Sequence, residues 1–130
     1  MSPKTIRLVY WILNGLFCAF HIMDAGGGLS KAKAGIDAMN QMGYPIYLMT
    51  FLSVVKLLGV VALLQDKYKT IKEWAFAGFA FTLAGAAYSH AAIHDIPAFI
   101  IMPLVFLAIL FALYYFWRKL EQLKTSTATL

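Results

Sequence analysis

The run GYPIYLMTFLSVVKLLGVVALLQD, residues 43–66, decides the fold class. A Gly-Tyr-Pro turn opens it, Gln65 and Asp66 close it, and a single charge, Lys56, interrupts it. A helix needs about 20 predominantly apolar residues to cross the hydrocarbon of a bilayer, and residues 44–65 meet that requirement. Outward from this run the pattern repeats. Residues 8–24 form a first apolar span, ended by Gly26-Gly27-Gly28. Residues 73–94 form a third, and Pro97 separates it from a fourth over residues 98–117.

The composition agrees with lipid as the solvent. The 130 residues are 62% hydrophobic and 13% charged, against about 45–50% and about 25% in soluble domains. A water-soluble domain of this make-up would expose large apolar patches and aggregate. The net charge of +5 raises nucleic acid as a partner, but the basic residues sit at the ends of apolar runs and do not interleave with aromatics. That is the arrangement of charges that set membrane topology, and nucleic acid is not expected. The one cysteine, Cys18, allows neither an internal disulfide nor a CxxC pair and reads as a packing residue.

Lys4, Arg7, Lys67, Lys69, Lys72, Arg118, Lys119 and Lys124 fall on the side of the N-terminus, whereas only Lys31 and Lys33 fall opposite. This bias predicts both termini on the cytoplasmic side. The first run resembles a signal peptide in its flanks, but Asn14, His21 and Asp24 interrupt it, and it is read as a retained span. Between the first two spans, Leu29, Ala32, Ile36 and Met39 share one face, predicting a short amphipathic helix that Ser30 would cap. The expected architecture is an all-α, integral-membrane antiparallel four-helix bundle. It has one domain over residues 1–119, the short helix between spans 1 and 2, and a polar cytoplasmic tail over residues 120–130.

Polar groups inside the spans are the candidates for function. Lys56 lies twelve residues beyond Tyr44, so about 18 Å into the bilayer, where a lysine costs about 2.5–3.5 kcal/mol. Such a residue normally faces the bundle interior and marks a site or an ion pair. In the third span Gly78, Thr82, Gly85, Ser89 and His90 form a stripe of small and polar residues, read as the face of a central packing helix. His21, Asp24, His90, His94 and Asp95 gather at one mouth. Without an HExxH-type spacing no metal is expected there, and proton handling or headgroup binding is the alternative. The fourth span, free of charged residues, reads as lipid-facing, with Tyr114, Tyr115 and Trp117 as its interfacial anchor.

Residues 43–66, followed by KEWAFAGFAFTLAGAAYSHAAIHD over residues 72–95, resemble the DoxX-like family of small four-helix bacterial membrane proteins. The resemblance places the family's mid-helix lysine on Lys56, its glycine on Gly59 and its Ser-His on Ser89-His90. Its closing Gly-Asp becomes His94-Asp95 here. The resemblance implies the bacterial inner membrane, and the family takes its name from a subunit of a thiosulfate:quinone oxidoreductase. It therefore implies a quinone- or lipid-binding accessory subunit of a membrane redox complex rather than an autonomous enzyme. Lys56 and His90 would then hold a headgroup, with a redox partner subunit carrying the chemistry. A small carrier or channel for an anionic molecule, which would call for a homo-oligomer, and a structural scaffold without a ligand remain the alternatives.

Overall fold

The computed structural model describes residues 2–128, with side chains to Ser126. It contains five helices and, among the described residues, no strand: α1 (Pro3–Leu29), α2 (Lys33–Met42), α3 (Ile46–Leu64), α4 (Lys69–Ala92) and α5 (Pro97–Ala128). Three of them, α1, α3 and the Pro97–Ser126 part of α5, are long and apolar enough to cross a membrane. The helix α4 is not among these. It has the length, but Lys69, Lys72 and Glu73 open it, and alanine and glycine dilute its apolar content. The four apolar spans expected from the sequence are thus met by three, plus a fourth long helix of lower hydropathy.

The four long helices pack side by side, each against two others: α1 on α3 and α5, and α4 on α3 and α5. Cross-helix contacts fix their directions. Asn14 meets Leu63 while Asp24 meets Lys56, so α1 and α3 run antiparallel. Tyr44 meets Ser89 while Gly59 meets Phe79, and Arg118 meets Glu73 while Asp95 meets His90; the remaining sequential pairs are antiparallel too. The shared core holds Tyr10, Phe17, Leu63, Phe79, Leu113 and Trp117, all at most 4% exposed.

Several boundaries move relative to the sequence reading, each for a packing reason. The helix α1 does not stop at the glycine run but continues to Leu29, because Gly28 lies against Ser53 of α3: a Cβ there would collide with the Ser53 hydroxyl oxygen. Ser30 closes α1, donating to the Gly27 carbonyl, and does not cap α2, which Ala32 begins without a side-chain bond. The amphipathic α2 is present and packs chiefly on α3. It ends at Gly43, whose φ of +76° is the left-handed conformation that glycine adopts without steric cost. The helix α5 runs past Trp117 through the residues read as a polar tail, because Leu120 and Glu121 are buried.

The small-residue stripe of α4 is not its packing face. Phe76, Phe79, Leu83 and Ala87 are buried, whereas Gly78 and Gly85 face open space. The most enclosed helix is α1, through Ile6, Tyr10, Asn14, Phe17, Cys18, His21 and Ala25. On α5 the expected interfacial trio divides: Tyr115 is exposed, Tyr114 is half-buried, and Trp117 is 2% exposed in the core.

Candidate functional site

The sequence-predicted site residues fall into separate groups. Lys56 of α3 is half-buried and forms an ion pair with Asp24 of α1, the carboxylate nearly half exposed. Three protons on the ammonium leave two donors beyond the one given to Asp24. Lys56 also lines a groove of about 340 Å³ between α3 and α4. Gly59, Ala62, Ala75 and Gly78 make it shallow-walled, and Trp74, 74% exposed, stands beside it. By the antiparallel register, Lys56 and Thr82 share one end of the groove, while Ala62, Ile71 and Trp74 lie toward the other. Its volume is at the lower edge of the ligand-pocket range, and its wall is apolar with one charged end.

His90 does not join Lys56. Its Nδ1 meets the Asp95 carboxylate at 2.8 Å, and its ring lies 5.8 Å from that of Phe99. The other Asp95 oxygen accepts the Ile96 backbone N–H at 2.8 Å. Ser89 is committed elsewhere, to the Tyr44 hydroxyl at 2.7 Å. His94 is exposed at the turn between α4 and α5 with φ +53°. His21 is enclosed at 2% exposure, its Nδ1–H donating to the Phe17 carbonyl at 2.9 Å among the rings of Phe17, Phe20, Phe79 and Phe106. Among the described residues no group of three or more histidine, cysteine or acidic side chains could hold a metal ion.

The hydrogen bond from His90, followed by that from Ile96, holds the Asp95 carboxyl below the ordinary aspartate range. A depressed value means that this tie is complete above the ordinary aspartate value and is lost as pH falls through the lower, folded one. Protection of the Ile96 amide from hydrogen exchange should therefore stay flat from pH 8 to pH 5 and collapse only under strong acid. Asp95→Asn should remove the acid step, and an acid step surviving that substitution would contradict the assignment.

The sequence reading missed one residue altogether. Lys72, counted there among loop charges, is 1% exposed. Its ammonium contacts Asp66 at 2.7 Å and stands 5.1, 5.4 and 5.7 Å from the ring centres of Tyr10, Trp11 and Trp117. Three rings from α1 and α5 thus surround a cation from the start of α4, a cation–π arrangement. The aromatic pair Tyr10-Trp11 at the foot of span 1 was the available signal, since a lysine one turn into a helix reaches back to that depth. Beside this cage, Lys69 and Lys124 both pair with Glu121, at 2.6 and 3.3 Å, and Arg118 pairs with Glu73 at 3.2 Å.

A family model described as the DoxX-like family matches residues 12–113, well over half of the chain. The chain belongs to the DoxX-like family. No curated protein and no solved structure matches it. Within this DoxX-like protein, Asp24, Lys56, Gly59, Ser89, His90 and Asp95 lie inside the matched segment. Three rings of the Lys72 cage, Tyr10, Trp11 and Trp117, lie outside it. His94 itself takes the left-handed backbone conformation at this turn, with φ +53°. Membership and the apolar helices together make this a membrane protein of the DoxX-like family.

Proposed function

We propose that this protein binds an amphiphile with a carbonyl-bearing headgroup, a quinone or a lipid, in the groove between α3 and α4. The observation that carries this reading is the position of Lys56: a half-buried ammonium at one end of an apolar groove, with donors to spare after its bond to Asp24. The headgroup would accept from Lys56, and the chain or isoprenoid tail would lie along Gly59, Ala62 and Gly78 toward Trp74. Because Asp24 already balances the lysine charge, a neutral carbonyl suits the site better than the anionic substrate of a carrier. In this reading the four long helices span the bacterial inner membrane with both termini in the cytoplasm. The lower hydropathy of α4 is offset by its buried face on α3 and α5. The protein then serves a redox partner as an accessory subunit that presents the lipophile.

Mass spectrometry of the organic extract from gently purified protein tests this. Wild type is expected to carry an enriched lipophile, and Lys56→Met, still folded, to carry at least about tenfold less, the factor of a lost charge-assisted hydrogen bond. Equal enrichment in both would remove Lys56 from the site. A mutant that fails to fold would favour the scaffold.

A further inference from the structure

The enclosed face of α1 carries four polar side chains in file: Tyr10, Asn14, Cys18 and His21, exposed by 1%, 0%, 2% and 2%. They recur at intervals of three and four residues, so they stack along the bundle side of one helix. Each end of the file meets a charged pair. Below Tyr10 is Lys72 with Asp66, and beyond His21 is Asp24 with Lys56. The Tyr10 hydroxyl feels the charges of Asp66 and Glu121, and His21 feels those of Lys56 and Asp24. From Tyr10 to Asp24 the helix rises about 21 Å, most of the thickness of the hydrocarbon.

The polar contacts inside the file are partial. Cys18 donates to the Asn14 side-chain oxygen at 3.6 Å, and the Asn14 amide donates to the Leu63 carbonyl at 3.1 Å. The Tyr10 hydroxyl, fully enclosed, has no hydrogen-bond partner among the described residues. A phenol buried without a partner weakens a fold, and phenylalanine would fill the same space without that cost. Packing therefore does not account for the hydroxyl. Successive members are separated by rises of about 4.5–6 Å, which one intervening water can bridge. Ionisable side chains facing the inside of a membrane bundle are the groups from which proton relays are built.

We propose that Tyr10, Asn14, Cys18 and His21 form a proton path along α1, linking the Lys72–Asp66 end of the bundle to the Lys56–Asp24 end. Protons hop between side chains and transient waters, with no bond to carbon made or broken. Tyr10 passes a proton through its hydroxyl. His21, whose Nδ1–H is held by Phe17, exchanges at Nε2. This path needs no bound lipophile, and it meets the groove between α3 and α4 at Lys56.

The test is proton flux in proteoliposomes loaded with a pH-sensitive dye and driven by a potassium gradient with valinomycin. Wild type should acidify the lumen faster than protein-free vesicles. Tyr10→Phe and His21→Leu should each slow the flux at least about tenfold, the scale of a lost positioned proton carrier. Tyr115→Phe, the same deletion on an exposed face of α5, should match wild type. Tyr10→Phe should also melt no lower than wild type, so its loss of flux cannot be ascribed to misfolding. Wild-type flux no faster than empty vesicles, or Tyr10→Phe flux equal to wild type, overturns the proposal.

Discussion

Asp66→Ala should lower the free energy of unfolding by about 3 kcal/mol, the largest loss expected from any single ion-pair deletion in this chain. The reason lies with its partner. Lys72 is 1% exposed, and without the carboxylate at 2.7 Å its ammonium keeps only three aromatic faces. Stranding one member of a buried pair costs about 3–5 kcal/mol, and the partial hydration of Asp66 sets this case at the lower end. Lys72→Met should cost at most about 1 kcal/mol, because the thioether keeps the volume, recovers sulfur–aromatic contacts, and leaves behind a carboxylate that water can reach. Denaturant titration of both variants in detergent micelles checks the asymmetry. Equal losses would mean that the cation itself, and not its desolvation, holds the three helices together.

Gly59→Leu should be similarly disruptive by a different route. A Cβ at Gly59 would stand 2.7 Å from Phe79 Cε2 and 3.0 Å from Cζ. The Phe79 ring is 4% exposed and packs edge-on against Phe17 at 5.3 Å and His21 at 4.9 Å, so moving it away from a side chain at position 59 disturbs both contacts. Overpacking of this kind costs about 1–3 kcal/mol for one added carbon, so Gly59→Ala falls in that range and Gly59→Leu at or beyond its top. The leucine also fills the groove beside Lys56 and should remove any lipophile found there. Gly78→Ala is the contrast: nothing lies within 4 Å of that position, and alanine favours helix over glycine by about 1 kcal/mol. Thermal melts of the three variants should rank Gly78→Ala highest and Gly59→Leu lowest; a Gly59→Leu protein as stable as wild type would refute the close approach.

Hydropathy made three spans legible in the sequence, because an 18-residue apolar run has few other solutions. The amphipathic α2 was legible from its one-sided periodicity. Boundaries were less so, since Gly26–Gly28 and Leu120–Glu121 read locally as breaks and only contacts with Ser53 and the core carry the helix through them. Lys56 announced itself by standing alone in an apolar run, and Asp24 was seen at the right mouth but not as its partner. Lys72 stayed hidden for the opposite reason: beside Lys67 and Lys69 it looks like one more charge in a polar connection, and only the approach of three helices encloses it. The stripe Gly78–Thr82–Gly85 misled, because small residues mark closeness only when a neighbour is present, and Gly78 and Gly85 face open space.

The uneven hydropathy of the long helices bears on how the chain enters a membrane. A segment such as α4, opening with Lys69, Lys72 and Glu73, partitions poorly from the translocon by itself, whereas α3 and α5 do so readily. Connections of only a few residues tie α4 to both; under the proposed four-span topology it would enter lipid as half of a hairpin, with its basic end at the surface where Lys72 pairs with Asp66. On that topology biogenesis would proceed by pairs of helices, and a nascent chain halted after α4 but before α5 would be the stage most exposed to slipping back into water.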